Sequence, residues 1–290
     1  MKKVSRPSLM KQVVDYVVQT HRYSQRRACG LTRQHRSTQR KPLTSDPRTE
    51  LRLRMWEISQ THIRYGYRRI HIMLKREGWD VGKHVVYRLY REEVLCLRRK
   101  RPRRRKMSAH RHSRPQPTAP GQAWSMDFMS DQLASGAKIR SLTVINVFTR
   151  EALVIEVGPR LRGKNVANVL NRLIYLHGKP KAVFCDNGAE FTGQIMDIWA
   201  YTHKVRLDFS WPGTPTDDAH IESFNGSVRD ELLNVNWFQG VAEAKRLSEA
   251  WRRHYNDSRP HMAHKGQTPR EFANLSSLWH RDDKEMAAGI

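Results

Sequence analysis

In the second half of the chain, strand-like and helix-like segments follow each other in one fixed order, and this order constrains the fold most. Trp124–Phe128, Ile139–Thr149 and Ala152–Val157 have the alternation and residue types of three strands. A helical apolar stripe from Val166 to Ile174 follows. Ala182–Cys185 is short and fully apolar, as expected for a strand at the centre of a sheet.

The remaining segments complete the order. Thr192–His203 is predicted as a helix, Val205–Ser210 as a strand, and Trp211–Thr216 as a Pro/Gly loop. A last helix is predicted from about Ala219 to about Leu233. Three strands, a helix, a strand, a helix, a strand and a helix describe an α/β fold of the ribonuclease H-like class.

Three acidic residues lie where such a fold places ligands. Asp127 lies within the first strand, on the side away from Trp124 and Met126, and Asp186 ends the apolar strand before Asn187-Gly188. Glu222 is in the first turn of the last helix. Each alone has an ordinary explanation, as an edge or turn acid or a helix-dipole acid. Together they predict a site for two Mg²⁺ ions, with Mn²⁺ as a substitute, that acts on phosphodiesters.

Charge is divided unevenly between the two halves. The 290-residue chain has 53 Lys and Arg against 28 Asp and Glu. Residues 1–118 contain 32 basic and 8 acidic residues, whereas residues 119–290 contain 21 and 20. The basic half therefore predicts binding to a polyanion, and DNA is the partner that fits the phosphodiester chemistry of the acidic site.

Residues 1–42 are predicted to form a short basic helical segment. Its first helix has an apolar stripe, and Ser24 is predicted to cap a second helix that runs through Cys29 and stops at Gly30. The stripe consists of Leu9, Val13, Tyr16 and Val17. A DNA-binding piece and an ordered docking arm explain this segment equally well.

Residues 43–98 predict a helix-turn-helix DNA-binding domain. A first helix starts after Ser45 and Pro47, a second after Gly66 and ends at Gly78, and a third carries Val85, Val86 and Leu89. The second carries Arg68 and Arg69, which are candidate DNA contacts. A plain three-helix bundle with a solvated basic face is the alternative.

A basic, Pro-containing linker over residues 99–118 separates this domain from the predicted catalytic core, residues 119–275, and a tail, 276–290. Residues 98–106 contain eight basic residues in nine, which repel each other and favour an extended chain along phosphates. The candidate DNA contacts here are Arg98, Arg99, Lys100, Arg103, Arg104 and Arg105.

Three motifs closely resemble DDE transposases of bacterial insertion sequences, members of the retroviral-integrase superfamily. They are Cys185–Phe191, Pro215–Gly226 and the tail signature Tyr255–His261 with Thr268–Phe272. Arg64–Ile70 resembles the helix-turn-helix that precedes the catalytic core in that family.

The resemblance implies that Asp127, Asp186 and Glu222 are the metal-binding and catalytic triad, and that Arg229, seven places after Glu222, contacts DNA. It implies DNA element ends and a target duplex as substrates, a homo-oligomer on DNA, and an upstream-frame helix-turn-helix protein joined by frameshifting. The chain departs from the family pattern at Trp211, Asp218 and His264.

Two rival functions share parts of this pattern. A ribonuclease H-like nuclease would cut without strand transfer, and a DNA-binding regulator or decayed transposase would occupy ends without chemistry. The three cysteines, Cys29, Cys96 and Cys185, form no Cys-x-x-Cys pair, and no apolar segment is long enough to span a membrane. Reduced thiols in a cytosol are therefore predicted, and the resemblance implies a cytoplasmic, nucleoid-associated location in a bacterium.

Overall fold

The computed structural model describes residues 7–40, 48–95, 117–210 and 219–276. It forms two compact units, Met1–Leu53 and Arg54–Ile290. The predicted linker contacts at 98–105, the Pro/Gly loop at 211–216, and nearly all of the tail lie outside the described residues. Among the helices in the described ranges, none has the length and apolar character needed to cross a membrane.

The first unit contains three short helices, α1 (Pro7–His21), α2 (Gln25–Thr32) and α3 (Arg36–Arg40). Val14, Ala28 and Cys29 form its buried centre, with Val17 packed against it. Two predictions are wrong here. Tyr16 is exposed, because Val14 rather than Tyr16 lies on the packed face. Helix α2 passes through Gly30 and ends at Thr32, and Arg33 caps it in the left-handed conformation.

The Ser24 cap is confirmed, since its side chain accepts a hydrogen bond from the Arg27 backbone N–H. Helix α4 (Thr49–Thr61) spans the boundary between the units. In the second unit it is followed by α5 (Tyr67–Arg76) and α6 (Lys83–Glu92). Gly78 has a φ of 88°, which explains why α5 stops just before it.

A five-stranded sheet forms the centre of the second unit. Its strands are β1 (Ala123–Gln132), β2 (Lys138–Asn146), β3 (Ala152–Gly158), β4 (Ala182–Cys185) and β5 (Arg206–Phe209). The spatial order is β3-β2-β1-β4-β5. The pairs β1/β2 and β2/β3 are antiparallel, whereas β1/β4 and β4/β5 are parallel. The predicted α/β element order is confirmed.

Each face of the sheet is covered by a pair of helices. Trp124, Met126, Leu142 and Val144 point towards α7 (Gly163–His177) and α8 (Gln194–His203). The opposite face, which includes Met129, Ile139 and Ile145, packs on α9 (Ala219–Val228) and α10 (Val241–Asp257). Because side chains alternate along β1, Ser125 and Asp127 belong to the α9 face, as the sequence predicted.

The last predicted helix changes geometry partway. Helix α9 ends at Val228, and Arg229–Leu233 form a π-helical turn. The single α-helix predicted to about Leu233 is therefore wrong in type beyond Val228. Arg229, seven places after Glu222, is the first residue of this turn and lies outside α9.

Helix α5 contacts the C-terminal part of the same unit. Arg69 donates to the Pro260 carbonyl at 3.2 Å, and Arg76 donates to the Gly266 carbonyl at 3.2 Å. A Cβ added to Gly266 would lie 2.8 Å from Ile72 Cδ1, and Gly266 has a φ of 95°. Glycine at this position thus serves both the backbone conformation and the close approach of α5.

Candidate active site

Asp127 and Asp186 lie at the same level of adjacent parallel strands. Ser125 on β1 pairs with Phe184 on β4, and the two aspartates each come two residues further along. Neighbouring strands are about 4.8 Å apart. Asp127 therefore lies beside the carboxyl end of β4, which Asp186 directly follows and where α/β folds place ligands.

The Asp127 carboxylate is held by a buried polar chain from two other elements. Asn225 on α9 donates its amide N–H to Asp127 Oδ2 at 2.8 Å. Thr143 on β2 donates its hydroxyl to Asn225 Oδ1 at 2.8 Å. Because Thr143 and Asn225 are both buried, these contacts fix the orientation of the Asn225 amide and present its donor to Asp127.

Glu222 lies on the same helix as Asn225, three residues earlier. This spacing places it on the same side of α9, about one turn nearer the helix N-terminus. Its side chain is exposed, whereas its neighbours Ile221 and Phe224 are buried against the sheet. Packing of the apolar face of α9 thus leaves Glu222 exposed on the helix that also carries Asn225, the partner of Asp127.

Asp186 opens a tight turn that its own side chain stabilises. Asp186 Oδ1 accepts a hydrogen bond from the Gly188 N–H at 3.0 Å. A Cβ at Gly188 would lie 3.0 Å from the same oxygen, so a larger residue would displace the carboxylate. Asn187 donates to the Ser210 carbonyl at 2.8 Å, which ties the turn to the end of β5.

The donor chemistry of the three acids fits Mg²⁺. All three supply carboxylate oxygens, which are the ligands that this hard cation prefers. As the side chains stand, no group of three or more His, Cys, Asp or Glu residues in the described ranges converges closely enough to hold a metal ion. The backbone places Asp127 beside Asp186, and the exposed Glu222 side chain must turn towards them to complete a site.

The candidate DNA contacts have different surroundings. Arg229 is exposed and donates to the Ser130 carbonyl on β1 at 3.3 Å. Arg68 is exposed on α5, with its guanidinium 5.9 Å from the Tyr67 ring centroid. Arg69 instead points into the unit, towards Pro260 and Tyr65, and burial lowers its pKa. Arg69 thus has a packing role that sequence reasoning did not foresee.

Comparisons with known proteins support the family resemblance of the sequence motifs. Residues 117–215 and 203–269 match integrase core domain families, and residues 47–103 match an HTH-like domain. The chain is 43% identical over 251 residues to the uncharacterized 31.7 kDa protein of insertion element IS407 from Burkholderia multivorans, covering 86% of this chain and 90% of that protein. The chain belongs to the integrase-core transposase family of bacterial insertion elements.

A more distant relative and a solved structure extend the likeness. The putative transposase InsK for insertion sequence element IS150 of Escherichia coli K12 is 25% identical over 226 residues, covering 74% of this chain and 79% of that protein. The cryo-EM structure of the simian T-cell lymphotropic virus intasome with PP2A regulatory subunit B56 gamma has a TM-score of 0.50 at 16% identity. It covers 76% of this chain and 73% of that chain. That similarity concerns the fold alone.

One of the three departures from the transposase pattern has a structural explanation. His264 is buried, lies 3.0 Å from the Thr149 carbonyl through Nε2, and stacks on Phe272 with ring centroids 3.9 Å apart. It packs the C-terminal segment against the β2–β3 turn and does not approach the triad. Trp211 and Asp218 lie outside the described residues.

Sequence reasoning missed Asn225 and Thr143, the two residues that orient Asp127. Asn225 follows Glu222 by three residues, so a search of the α9 face that carries Glu222 could have found it. Thr143 gave no comparable signal. Its role depends on the β1/β2 register, which pairs it with Asp127.

Proposed function

We propose that this protein is a transposase that catalyses metal-dependent cleavage of DNA strands and their transfer into a target duplex. The observation that carries the proposal is the placement of Asp127 and Asp186 at one level of β1 and β4, with Asn225 tying Asp127 to the helix that bears Glu222. Membership of the insertion-element transposase family supports the same activity.

In the first reaction, the oxygen of a water molecule attacks a phosphodiester at the element end. The P–O3′ bond breaks, and the element strand leaves with a free 3′-OH. In the second, this 3′-OH attacks a target phosphodiester, a new P–O3′ bond forms, and the target strand leaves with its own 3′-OH. Each step exchanges one P–O bond for another, so no oxidant and no covalent enzyme intermediate are needed.

Asp127, Asp186 and Glu222 would hold two Mg²⁺ ions, with Mn²⁺ as a substitute. When bound, such ions lower the pKa of water and neutralise charge on the attacking and leaving oxygens. The protein's own contribution is positioning. Asn225 fixes one Asp127 oxygen, and the Gly188 N–H fixes one Asp186 oxygen. The Phe128 N–H in turn fixes the other Asp127 oxygen, Oδ1, at 2.7 Å.

DNA would be positioned by the basic half of the chain together with Arg229. Arg68 on α5, Arg229 after α9, and the arginines and lysine at 98–105 would contact phosphates and release counterions. Joining two element ends requires a homo-oligomer on DNA, because one triad acts on one strand end at a time. An upstream-frame helix-turn-helix protein, fused by frameshifting, would add end recognition. The reaction would take place in the cytoplasm, at the nucleoid.

The test uses labelled duplexes that carry the terminal sequences of the element, with Mg²⁺ and a target plasmid. Both the chain alone and a version fused to the upstream frame are assayed for cleavage, strand transfer and end binding. Asp127→Asn, Asp186→Asn and Glu222→Gln should each abolish both reactions and leave binding intact. Cleavage without strand transfer would identify a nuclease, and binding without either reaction would identify a regulator.

A further inference from the structure

Arg140 contacts residues that are close in sequence to both candidate aspartates, and it lies on the face of the sheet opposite Asp127. It lies on β2, opposite Ser130 of β1, and its guanidinium carbon is 4.1 Å from the centroid of the Phe128 ring. The same guanidinium forms an ion pair with Glu190. Phe128 is the neighbour of Asp127 in β1, and Glu190 lies in the turn that Asp186 opens.

The turn is attached to β1 by a second contact beside this ion pair. The rings of Phe128 and Phe191 stack with centroids 5.1 Å apart and planes inclined by 16°. Phe191 is fully buried in the core that also contains Met126. Arg140, Phe128 and Phe191 together form a support beneath the Asp186 turn, on the face covered by α7 and α8.

Glu190 is close enough to Asp186 to influence it. A Cβ built on Gly188 would lie 3.0 Å from Asp186 Oδ1 and 3.4 Å from Glu190 Oε2. The two carboxylates can therefore be no further apart than the sum of these distances. At such separations two negative charges repel each other, unless one has a cationic partner.

Arg140 supplies that partner. The hydrogen bond from Arg140 is the main cause that holds the pKa of Glu190 below its usual value, so Glu190 stays charged but compensated. Both side chains are partly buried, 31% exposed for Arg140 and 25% for Glu190, and the guanidinium is seated on an aromatic ring. This ion pair is more constrained than one between two solvated side chains.

We propose that Arg140 is a positioning residue for the metal-binding carboxylates. By pairing with Glu190 and packing on Phe128, it fixes the Asp186 turn relative to β1 and keeps Glu190 out of the ligand set. This role rests on the proposed function, because it concerns the geometry of the site at which Mg²⁺ would bind. It predicts that loss of Arg140 weakens metal binding without removing a ligand.

A second ion pair in the same unit provides a matched control. Arg172 on α7 donates to Glu156 on β3 at 2.7 Å, and the pair lies at the far edge of the sheet from Asp186. Removing Arg172 also deletes a guanidinium that pairs with a carboxylate, while Lys245 still lies 3.3 Å from Glu156. Loss of a guanidinium far from the site should leave the Mg²⁺ dependence unchanged, whereas a positioning role makes Arg140→Ala change it.

The experiment measures in two ways how the full-length protein responds to Mg²⁺. One is the Mg²⁺ concentration that gives half-maximal cleavage, and the other is the rise in melting temperature that Mg²⁺ produces. Arg140→Ala should raise the half-maximal concentration by about tenfold or more and reduce the Mg²⁺-induced rise in melting temperature. Arg140→Lys should recover part of both effects, because it keeps the charge but not the planar fork. Arg172→Ala should leave both readouts within about twofold of the unmodified protein.

Three outcomes would overturn the inference. The first is an Arg140→Ala or Arg140→Lys protein whose Mg²⁺ dependence matches that of Arg172→Ala. The second is a Glu190→Gln protein as inactive as Asp186→Asn, since Glu190 would then be a ligand. The third is an unmodified protein whose melting temperature does not respond to Mg²⁺. Cleavage by the unmodified protein that needs Mg²⁺ and the triad, together with unchanged Arg140 variants, would contradict this inference alone and leave the proposed function standing.

Discussion

Thr143 orients Asp127 indirectly, through the side chain of Asn225. Its hydroxyl donates to Asn225 Oδ1 at 2.8 Å, and the Asn225 amide donates in turn to Asp127 Oδ2 at 2.8 Å. Thr143→Val keeps the shape but leaves the buried Asn225 oxygen without its donor. We expect a loss of about 1–3 kcal/mol in the free energy of unfolding, and slower cleavage because the amide is no longer held.

Urea unfolding and single-turnover cleavage measure these two effects. Thr202→Val on the exposed side of α8 is the control, and it should change the free energy of unfolding by no more than about 0.5 kcal/mol. Equal stability and equal cleavage rates for Thr143→Val and the unmodified protein would show that the Asn225 amide does not need this hydrogen bond.

For single residues, the sequence indicates which side chains are candidates for the site better than it indicates which other side chains they contact. Asp127, Asp186 and Glu222 could be chosen because each has a distinctive place in a strand or helix. Thr143 and Arg140 could not, because their importance depends on contacts with residues 82 and 50 positions away in the chain. Arg69 was selected for its charge, yet its guanidinium contacts the Pro260 carbonyl.

Among the structural elements, the π-helical turn after α9 joins the helix that carries Glu222 to the C-terminal signature. Within it, Glu231 forms an ion pair with Arg259, and the two side chains are only 14% and 4% exposed. Arg259 also lies 5.4 Å from the centroid of the Tyr255 ring. The signature Tyr255–His261 therefore contributes to packing behind the helix that carries Glu222.

Removing one partner of this buried pair leaves the other charge uncompensated. We expect Arg259→Ala and Glu231→Ala each to lower the free energy of unfolding by about 3–5 kcal/mol. Replacing both with apolar residues, Arg259→Met together with Glu231→Leu, should restore most of the stability. Urea unfolding measures these changes. Arg172→Ala, which removes an exposed ion pair, is the control and should lower the free energy of unfolding by at most about 1 kcal/mol. A cost below 1 kcal/mol for both single variants would show that the pair is solvated.

The order of elements was predictable from the sequence, but several boundaries were not. Strand β1 continues to Gln132, beyond the predicted end at Phe128, because its polar residues 130–132 pair with the start of β2. The pattern of apolar residues does not predict strand pairing where the end of a strand is exposed to solvent. The π-helical turn was unpredictable for a similar reason, since residues 229–233 have no distinctive spacing.

Across the second unit, buried histidines couple stability to pH. Burial lowers the pKa of His62 to about 4 and that of His261 to about 3, and His261 Nε2 lies 2.8 Å from the Tyr255 hydroxyl. Since these folded-state pKa values lie below 6.5, the unfolded chain binds more protons between the two values. Stability is thus full above about pH 6.5 and falls as the pH is lowered, by up to about 1.4 kcal/mol per pH unit for His261 and by less for the partly exposed His62.

Urea unfolding at a series of pH values from 7 to 5 measures this slope. His261→Gln should reduce it, whereas His84→Gln, on the exposed surface of α6, should not change it. A slope unaffected by His261→Gln would mean that His261 takes up protons equally in the folded and unfolded protein.

For the whole molecule, the central claim is that the side chains at 127, 186 and 222 are metal ligands in strand cleavage. The most direct measurement is the cleavage rate of Asp186→Cys in Mg²⁺ and in Mn²⁺, since a thiolate is a poor ligand for Mg²⁺ and a better one for softer transition metals. We predict no cleavage in Mg²⁺ and partial recovery in Mn²⁺, with DNA binding unchanged. Cleavage in Mg²⁺ at the rate of the unmodified protein would contradict the account.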